Sequence, residues 1–304
     1  MFSSVKDKVA VITGGASGIG KAAANALIEH GAKVIIGDIQ QDKGKKIVDE
    51  YNQKAGKKVA SFLHTNVTKY DDNIALFQLA ERDFGGVDIA FLNAGIADSS
   101  DFKFACLEDQ EESSLLNVNL MGVIRGTKVA LMHMAKRGGG TIVHTASIAG
   151  IYPFLMSPLY ATSKHAVVGY TRSLALMPQI CNVRVNAICP FWVETDLLSP
   201  FISEQAESLP HYKYLKTVPK VTLQSVVEAF FTLITDQSRV SQTLLILPTG
   251  LQVIDAPVMP ENSHPKEARE AYIEALPKWI AMAKVEFEEA QKNYDKRVNA
   301  LGCA

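Results

Sequence analysis

The sequence predicts a single α/β domain: a Rossmann-type, doubly wound parallel sheet of seven strands with helices on both faces, followed by a C-terminal helical tail. Two observations predict this class. Short β-branched runs such as "KVAVITG" alternate with longer segments that have helical periodicity. The runs are apolar on consecutive positions, as strands are when helices bury both faces of a parallel sheet.

The elements follow one another in the order expected of such a sheet. The first strand runs into a helix from about Gly18 to His30, and Gly31 ends that helix because glycine readily takes the left-handed conformation. The predicted strands are 8–14, 33–39, 58–67, 87–95, 140–147, 182–189 and 242–250. The predicted helices are about 18–30, a charged helix that ends near 51, then 71–84, 111–136, one that begins near 157, and 223–235.

The α/β domain is expected to span 1–255, with a cover over its site at about 191–220. No regular pattern is visible in that segment, and loops of this length usually cover a functional site or are disordered. Its aromatic density favours a cover over an apolar or ring-bearing substrate; a subunit contact is the alternative. The apolar cover residues are Phe191, Trp192, Leu197, Leu198, Phe201, Ile202, Tyr212, Tyr214 and Leu215, with Phe154 and Met156 expected on the opposite wall.

The tail at 256–304 carries apolar residues at steps of three and four, a pattern typical of an amphipathic helix. Pro277 is expected to divide it into two helices, the second beginning at that proline. Between Pro265 and Arg297 there are seven Lys or Arg and seven Asp or Glu, whereas a membrane-surface helix has a basic excess. The tail is therefore expected to pack on the body or on a partner subunit.

Composition limits the function classes. The chain has 304 residues, 47% hydrophobic and 21% charged, as in a globular protein, and its net charge of -1 gives no reason to expect a nucleic-acid partner or an acidic membrane. The four cysteines lack metal-ligand spacing, which favours free thiols and no metal site. No apolar stretch approaches the roughly 20 residues of a membrane span. Residues 1–13 leave no room for a signal peptide, so a cytoplasmic location is expected.

The stretch "TGGASGIGKA" at 13–22 lies where the first strand meets the first helix. Its glycines at 14, 18 and 20 allow a tight turn and a close approach of backbone to a pyrophosphate. The start of the helix then offers free N–H groups and the positive end of its dipole to that anion. A strand, a glycine turn and a helix in this order predict dinucleotide binding.

Asp38 ends the second strand, 18 residues after Gly20. A carboxylate at this position can accept hydrogen bonds from the adenosine ribose hydroxyls and would repel a 2′-phosphate. Neither Ser17, which precedes the second glycine, nor Ile39, which follows the acid, is basic. The sequence therefore favours NAD over NADP.

Tyr160 and Lys164 are one helical turn apart and point the same way from a helix. An unperturbed tyrosine has a pKa of about 10, and a nearby ammonium favours its phenolate, which can accept the proton of an alcohol. Ser147 ends the fifth strand, at the sheet edge where such folds bind ligands, and its hydroxyl can hold the substrate oxygen.

These motifs together resemble the classical short-chain dehydrogenases/reductases over about residues 6–255. The matching stretches are "TGGASGIG" at 13–20, "NAG" at 93–95, "NVNLMG" at 117–122 and "YATSK" at 160–164, with a serine 13 places before the tyrosine. The resemblance implies a catalytic tetrad of Asn119, Ser147, Tyr160 and Lys164. It implies that Asn119, chosen over Asn117 by its position in the motif, interrupts a helix and anchors a water that relays protons to the lysine.

The resemblance also implies the binding residues. Three positions depart from the family pattern: Asn66 stands where the family usually has aspartate near the adenine amine, Phe191 replaces a glycine, and Ser157 stands where one related enzyme has a substrate-binding glutamine. The amide oxygen of Asn66 can still accept the adenine hydrogen bond. The implied cofactor residues are Gly14, Ser17, Gly18, Ile19, Gly20, Asp38, Ile39, Asn66, Val67, Asn93, Ala94, Gly95, Tyr160, Lys164, Pro190, Val193 and Thr195. The implied substrate residues are Ser147, Ser157, Tyr160, Phe191 and Trp192.

The function expected from these residues is NAD-dependent interconversion of a secondary alcohol and a ketone on an apolar substrate. An NADPH-linked carbonyl reductase is the alternative enzyme, and a nucleotide-binding sensor without catalysis is the alternative from another class. By resemblance, helices at about 111–136 and 160–177 pair across a two-fold axis, so that a homodimer or homotetramer is expected.

Overall fold

A computed structural model describes residues 5–97, 109–155, 157–258, 260 and 263–302. The strands are β1 (Val9–Thr13), β2 (Lys33–Asp38), β3 (Ala60–His64), β4 (Ile89–Leu92), β5 (Gly140–Thr145), β6 (Val183–Pro190), β7 (Thr243–Leu247) and β8 (Gly250–Ile254). The strand order in the sheet is β3-β2-β1-β4-β5-β6-β7-β8, and the reversal between β1 and β4 is the switch point at which such sheets bind ligands. Strands β1 to β7 are parallel, which confirms the predicted fold class.

The sheet has eight strands rather than the predicted seven, because the predicted strand 242–250 ends at Leu247 and the chain then turns back to form β8. β8 pairs antiparallel with β7, so that Leu247 lies opposite Gly250. Pro248 cannot donate to a strand ladder, and Gly250 has a φ of 124°, which only glycine adopts easily. Both residues favour a tight hairpin over a continued strand.

The helices are α1 (Gly18–Glu29), α2 (Gln41–Ala55), α3 (Tyr70–Phe84), α4 (Asp109–Leu116), α5 (Gly122–Lys136), α6 (Pro158–Ser173), α7 (Met177–Cys181), α8 (Tyr212–Thr217), α9 (Leu223–Thr235) and α10 (Lys266–Ala300). Helices cover both faces of the sheet and bury three apolar clusters. One cluster lies under α1, α2 and α9, a second lies under α3 and α5, and a smaller third lies under α6.

The cover at 191–220 is more regular than the sequence predicts. It contains two 3₁₀ turns, Ser199–Ile202 and Glu204–Ala206, and then α8. Leu198, Ala206 and Leu215 are buried, so the cover carries apolar contacts of its own.

The tail forms one helix, α10, and the expectation that Pro277 divides it was wrong. Proline has helical φ, and it lies here on an exposed surface, where water can satisfy the carbonyl that loses its N–H partner. The second half of α10, residues 287–300 and hereafter the docked half, packs through Phe287, Tyr294 and Val298 on the cluster under α3 and α5. Its first half, residues 266–286 and hereafter the exposed half, has partly buried residues such as Leu276 and Ile280, and neither half contains a fully buried residue.

No helix among the described residues is long and apolar enough to cross a membrane. Cys181 and Cys189 are free thiols, whereas Cys106, Cys303 and Met156 lie outside the described residues.

Candidate active site

A cavity of about 670 Å³ lies at the carboxyl ends of the central strands. The turns that follow β1, β2, β4, β5 and β6 all contribute to its wall, because parallel strands end at one edge of the sheet. One end is lined by the glycine turn after β1, and the cover lines the other.

The glycine turn forms a cradle that side chains would fill. A Cβ on Gly20 would lie 2.2 Å from the Gly14 carbonyl oxygen, and one on Gly18 would lie 3.3 Å from Thr195 Cγ2. Gly14 and Gly18 have φ values of 64° and 49°, in the left-handed region. The space lies at the first turn of α1, where unpaired N–H groups bind pyrophosphate, so the turn fits a dinucleotide. Ser17 and Ile19 line the cavity beside it.

Asp38 is buried at the end of β2 with a fixed carboxylate. Its Oδ2 accepts a hydrogen bond from Ala16 N at 3.0 Å, and its Oδ1 accepts one from Gln40 N at 2.9 Å. Each oxygen keeps a second lone pair for a ribose hydroxyl. Ile39, beside it, also lines the cavity. Of the cavity-lining residues that the structure describes, only Lys164 is a Lys or Arg, so no guanidinium or second ammonium is placed for a 2′-phosphate.

Asn66 differs from the expectation drawn from the sequence. Its Oδ1 accepts hydrogen bonds from Thr68 N at 3.0 Å and from Thr68 Oγ1 at 2.8 Å, so both lone pairs are used within the turn. The geometry therefore does not support the expected hydrogen bond to an adenine amine. Val67 lines the cavity as the resemblance implies.

Asn93 ties three strands together beneath the cavity. Its Nδ2 donates to Gly14 O at 3.1 Å, its Oδ1 accepts from Thr145 Oγ1 at 3.0 Å, and its own N donates to Thr13 Oγ1 at 3.0 Å. Ala94 and Gly95 continue the wall. The side chain thus holds the glycine turn against the ends of β4 and β5.

Ser147, Tyr160 and Lys164 all line the same cavity. Ser147 follows β5 and caps a 3₁₀ turn, its Oγ accepting a hydrogen bond from Ala149 N at 3.2 Å. α6 starts at Pro158, whose fixed φ suits a first helical position, and this start places Tyr160 and Lys164 on the cavity side. Lys164 Nζ lies 5.6 Å from the centre of the Tyr160 ring and donates to Thr145 O at 3.0 Å.

Lys164 is an unusually buried lysine, with 3% of its surface exposed. Burial lowers its pKa from 10.5 to about 8, because the charged ammonium loses hydration. The neighbouring Cys189 is also buried, which raises the pKa of its thiol to about 12. The lysine therefore has no thiolate partner at neutral pH, and it changes charge close to the physiological range.

Asn119 lies in a π-helical turn, Asn117–Met121, that separates α4 from α5. It is fully buried, and its side chain bonds the Ile96 backbone in both directions, accepting from N at 2.8 Å and donating to O at 2.9 Å. A Cβ on Gly95 would lie 3.3 Å from Asn119 Oδ1 and 3.5 Å from Lys164 Nζ, so both groups border one small space. Asn117, which the sequence analysis set aside, lines the cavity itself.

Aromatic side chains line the substrate end of the cavity. The ring centres of Phe154 and Tyr160 are 6.2 Å apart, those of Phe154 and Trp192 are 5.5 Å apart, and Tyr214 contacts Trp192 from outside. Phe191 is half-buried against the core and also lines the cavity, with a φ outside the left-handed region, so its backbone needs no glycine. Ser157, which was predicted to bind substrate, lines the cavity as well. The residues predicted to bind the cofactor from the segment after β6 also lie on its wall: Pro190, Val193 and Thr195.

Several wall residues had no signal in the sequence. Ile96 reaches the cavity from the segment after β4, Ser114 reaches it from α4, and His211 reaches it from the cover. None of the three belongs to a motif, and His211 lies beside the Phe201 ring, 6.3 Å away between ring centres. Only the folding of the cover over the sheet edge brings them together.

This fold and cavity are those of a nicotinamide-dependent oxidoreductase. Residues 8–206 match the family model described as short chain dehydrogenase, and the chain therefore belongs to the short-chain dehydrogenases, which act on CH–OH groups. The resemblance found in the motifs is thereby confirmed.

Three known proteins illustrate the similarity. Momilactone A synthase of Oryza sativa subsp. japonica is 34% identical over 82% of this chain and 91% of its own length. The Homo sapiens enzyme named 15-hydroxyprostaglandin dehydrogenase (NAD(+)) is 34% identical over 68% of this chain and 76% of its own. The crystal structure of 3-ketoacyl-(acyl-carrier-protein) reductase from Brucella melitensis complexed with NADH has a TM-score of 0.69 and 27% identity, and it covers 80% of this chain and 97% of its own.

Proposed function

We propose that this protein is an NAD-dependent oxidoreductase that interconverts a secondary alcohol and a ketone on an apolar substrate, with Tyr160 as the base. The observation that carries the proposal is the cavity itself, which is lined by the glycine cradle, Asp38, Ser147, Tyr160 and Lys164 together. The aromatic and aliphatic side chains at its other end support an apolar substrate.

In this proposal each side chain has one task at the reacting carbon. The Ser147 hydroxyl holds the substrate oxygen, the Tyr160 phenolate takes the hydroxyl proton, and the Lys164 ammonium favours that phenolate. A nicotinamide cofactor held by the glycine turn and Asp38 would supply the hydride acceptor, so that the alcohol would lose one hydride and one proton and become a ketone. Asn119 acts behind them by holding Ile96 and bordering Lys164 Nζ.

Asp38 supports NAD rather than NADP. Its fixed carboxylate would repel a 2′-phosphate, and the described cavity wall offers no arginine to bind one. The human relative carries NAD(+) in its name, which agrees with this assignment. The proposal covers the domain 1–255 as the catalytic unit and 256–304 as an extension, working as a homo-oligomer.

The catalytic part is tested with Tyr160→Phe. Oxidation of a panel of apolar secondary alcohols by NAD is expected to fall at least 1000-fold in kcat, on the order of what a positioned acid–base group contributes, while NADH affinity stays within about twofold. Tyr214→Phe, which removes a phenol from the outside of the cover, should leave kcat nearly unchanged. Full turnover by Tyr160→Phe would refute the assignment.

The cofactor part is tested by fluorescence titration with NADH and NADPH. The wild type should bind NADH more tightly than NADPH. In Asp38→Ala the ratio of the two affinities should fall about tenfold or more, because the variant loses both the carboxylate that accepts hydrogen bonds from the ribose hydroxyls and the charge that repels a 2′-phosphate. Asp196→Ala, which removes the other carboxylate among the described wall residues, is the matched control. Tighter NADPH binding by the wild type would identify the protein as an NADPH-linked reductase instead.

A further inference from the structure

Between 197 and 215 the cover faces the cavity with apolar side chains and a single imidazole. The imidazole belongs to His211, which is also the only histidine among the cavity-lining residues that the structure describes. In its neutral form this ring carries one hydrogen-bond donor and one acceptor, which its apolar neighbours on the cover lack. Those neighbours are Leu197, Leu198, Phe201 and Leu215.

The backbone of the cover holds the imidazole on the inward side. His211 directly precedes α8, and Leu215 N, one turn later, donates a hydrogen bond to His211 O at 2.9 Å. Side chains four residues apart lie on the same side of a helix, and both of these side chains line the cavity. Leu215 is 2% exposed, so its burial fixes which side of α8 faces the cavity.

Lys220 fixes the other end of α8. Its Nζ donates to Leu215 O at 2.7 Å and to Lys216 O at 3.2 Å, so it satisfies carbonyl groups at the end of the helix. The cover then returns to the sheet at Val221, whose N donates to Trp192 O at 2.8 Å. A binding group that is fixed before the ligand arrives costs less affinity than one that must be ordered afterwards. The cover therefore presents His211 as a preorganised group.

His211 is buried as well as inward-facing. It is 6% exposed, and the Phe201 ring lies 6.3 Å away between ring centres. A buried histidine can serve only as a flat ring that fills space. Packing needs neither ring nitrogen, however, and an aliphatic side chain would fill the same space at a lower desolvation cost. An imidazole in this apolar part of the wall therefore points to a ligand that forms hydrogen bonds.

Charge indicates which kind of group the imidazole binds. Lys164 is the only Lys or Arg among the described wall residues, and the proposed mechanism uses it beside Tyr160. A carboxylate near His211 would thus have no lysine or arginine to pair with, and burying an unpaired charge is costly. A hydroxyl or carbonyl oxygen avoids this cost, because it needs only the donor or the acceptor of a neutral imidazole.

We propose that His211 is a substrate-recognition residue that binds a second, uncharged oxygen of the substrate, away from the carbon that reacts. The inference rests on the proposed function and narrows its substrate class. The substrate has an apolar skeleton with the reacting secondary alcohol and a remote hydroxyl or carbonyl group. Ser147 and Tyr160 hold the reacting oxygen from the end of β5 and from α6, whereas the cover holds the remote oxygen. His211 takes no part in proton or hydride transfer.

Paired substrates test the assignment. Rigid apolar secondary alcohols are compared, with NAD, against analogues that carry a remote hydroxyl or ketone at several separations from the reacting carbon. At one separation or more, wild-type kcat/KM should be about tenfold higher for the analogue, on the order of one uncharged hydrogen bond. In His211→Leu this preference should disappear, while kcat for the plain alcohol and NADH affinity stay within about twofold.

Two further variants separate recognition from packing. His211→Gln keeps a donor and an acceptor, so it should retain part of the preference that His211→Leu loses. His264→Leu is the matched control, because His264 precedes the exposed half of α10 and is not among the described residues that line the cavity. Its preference should equal that of the wild type. If His211→Leu weakened plain and oxygen-bearing alcohols equally, the role would be packing and the proposal would be overturned.

Binding without turnover distinguishes this proposal from the proposed function. Calorimetric titration of the NADH-loaded protein with the ketone forms of the same pairs measures the preference whether or not an alcohol is oxidised. A preference that depends on His211, without oxidation of any alcohol, would support the recognition site and refute the oxidoreductase assignment. Oxidation without such a preference would refute the recognition site alone. A preference confined to analogues with a carboxylate would also overturn the proposal, because the recognised group would then be charged.

Discussion

The two ends of the cavity are built in different ways. At the cofactor end the wall is mostly backbone and short side chains, held by hydrogen bonds of 2.9 to 3.1 Å that Asp38 and Asn93 make to the glycine turn and its neighbours. At the substrate end the wall consists mainly of rings and aliphatic side chains, such as Leu215 and Trp192 of the cover, and Trp192 contacts the Phe154 ring through apolar surface.

This difference in construction predicts how each end of the cavity tolerates amino-acid substitutions. Hydrogen bonds and close backbone contacts have narrow geometric limits, so one added methyl group at the cofactor end should be costly. Apolar contacts are non-directional, so the substrate end should lose affinity gradually when a side chain is shortened. The four changes below test this contrast, from the largest expected effect to the smallest.

Gly20→Ala should greatly weaken NADH binding at the cofactor end of the cavity. The new Cβ would lie 2.2 Å from Gly14 O and 2.8 Å from Asn93 Nδ2, so the turn must move. Loss of about 3 kcal/mol of backbone hydrogen bonding to the charged pyrophosphate corresponds to about 100-fold in affinity. NADH titration should show that loss. Gly169→Ala has nothing within 4 Å of its new Cβ and should bind NADH normally. Equal NADH affinity in both variants would show that the glycine turn can accommodate a methyl group at Gly20, contrary to this prediction.

Lys164→Met measures how much the buried charge of the lysine destabilises the folded protein. Because the folded pKa is lowered from 10.5 to about 8, folding the charged form costs about 3 kcal/mol at pH 7, and the cost disappears as pH rises from about 8 to 10.5. After losing the bond to Thr145 O, the variant should still gain ~2 kcal/mol in free energy of unfolding at pH 7, about 30-fold in the equilibrium constant.

Urea unfolding at pH 7 and pH 10 checks this prediction. The gain of Lys164→Met in free energy of unfolding over the wild type should shrink or change sign at pH 10, because the wild-type lysine is neutral in the folded state at that pH. Lys128→Met, at an exposed position of α5, should show no such pH-dependent gain. A gain of equal size at both pH values would mean that apolar packing, and not the charge, is responsible.

Trp192→Ala should weaken the substrate end without affecting the cofactor end. Loss of its contact with Phe154 should raise KM for apolar secondary alcohols by about tenfold, since a partly exposed aromatic contributes roughly 1.5 kcal/mol, while NADH affinity stays constant. Steady-state kinetics and NADH titration measure the two quantities separately. The control is Trp279→Ala, which removes the tryptophan of the tail and should leave the KM for these alcohols unchanged.

Asn66→Asp should improve the cofactor end slightly. In the wild type, Thr68 uses both lone pairs of the amide oxygen, and an aspartate would add a second acceptor oxygen for the adenine amine. One such hydrogen bond contributes ~1 kcal/mol, so NADH should bind about fivefold more tightly. Asn293→Asp on α10 makes the same charge change far from the cavity and should have no effect. Unchanged affinity in Asn66→Asp would place the adenine elsewhere.

The sequence alone determined the sheet, the cradle and the candidate Tyr160–Lys164 pair, because each depends on residues close together in the chain. The strand alternation, the glycine spacing and one helical turn are local patterns with fixed geometric consequences. Where local rules compete, prediction failed. The Pro248 turn added β8, and Pro277 did not interrupt α10, since an exposed proline is tolerated where the rest of the helix is stable.

Only the tertiary structure decided which distant segments meet. His211 joins the cavity, Thr68 uses up the oxygen of Asn66, and Tyr294 reaches His133 from 161 residues away. The burial that lowers the pKa of Lys164 also arises from packing of whole elements around it. Such contacts are set by how helices and cover pack on the sheet, and packing depends on shape and volume along the entire chain, which no short stretch of sequence encodes.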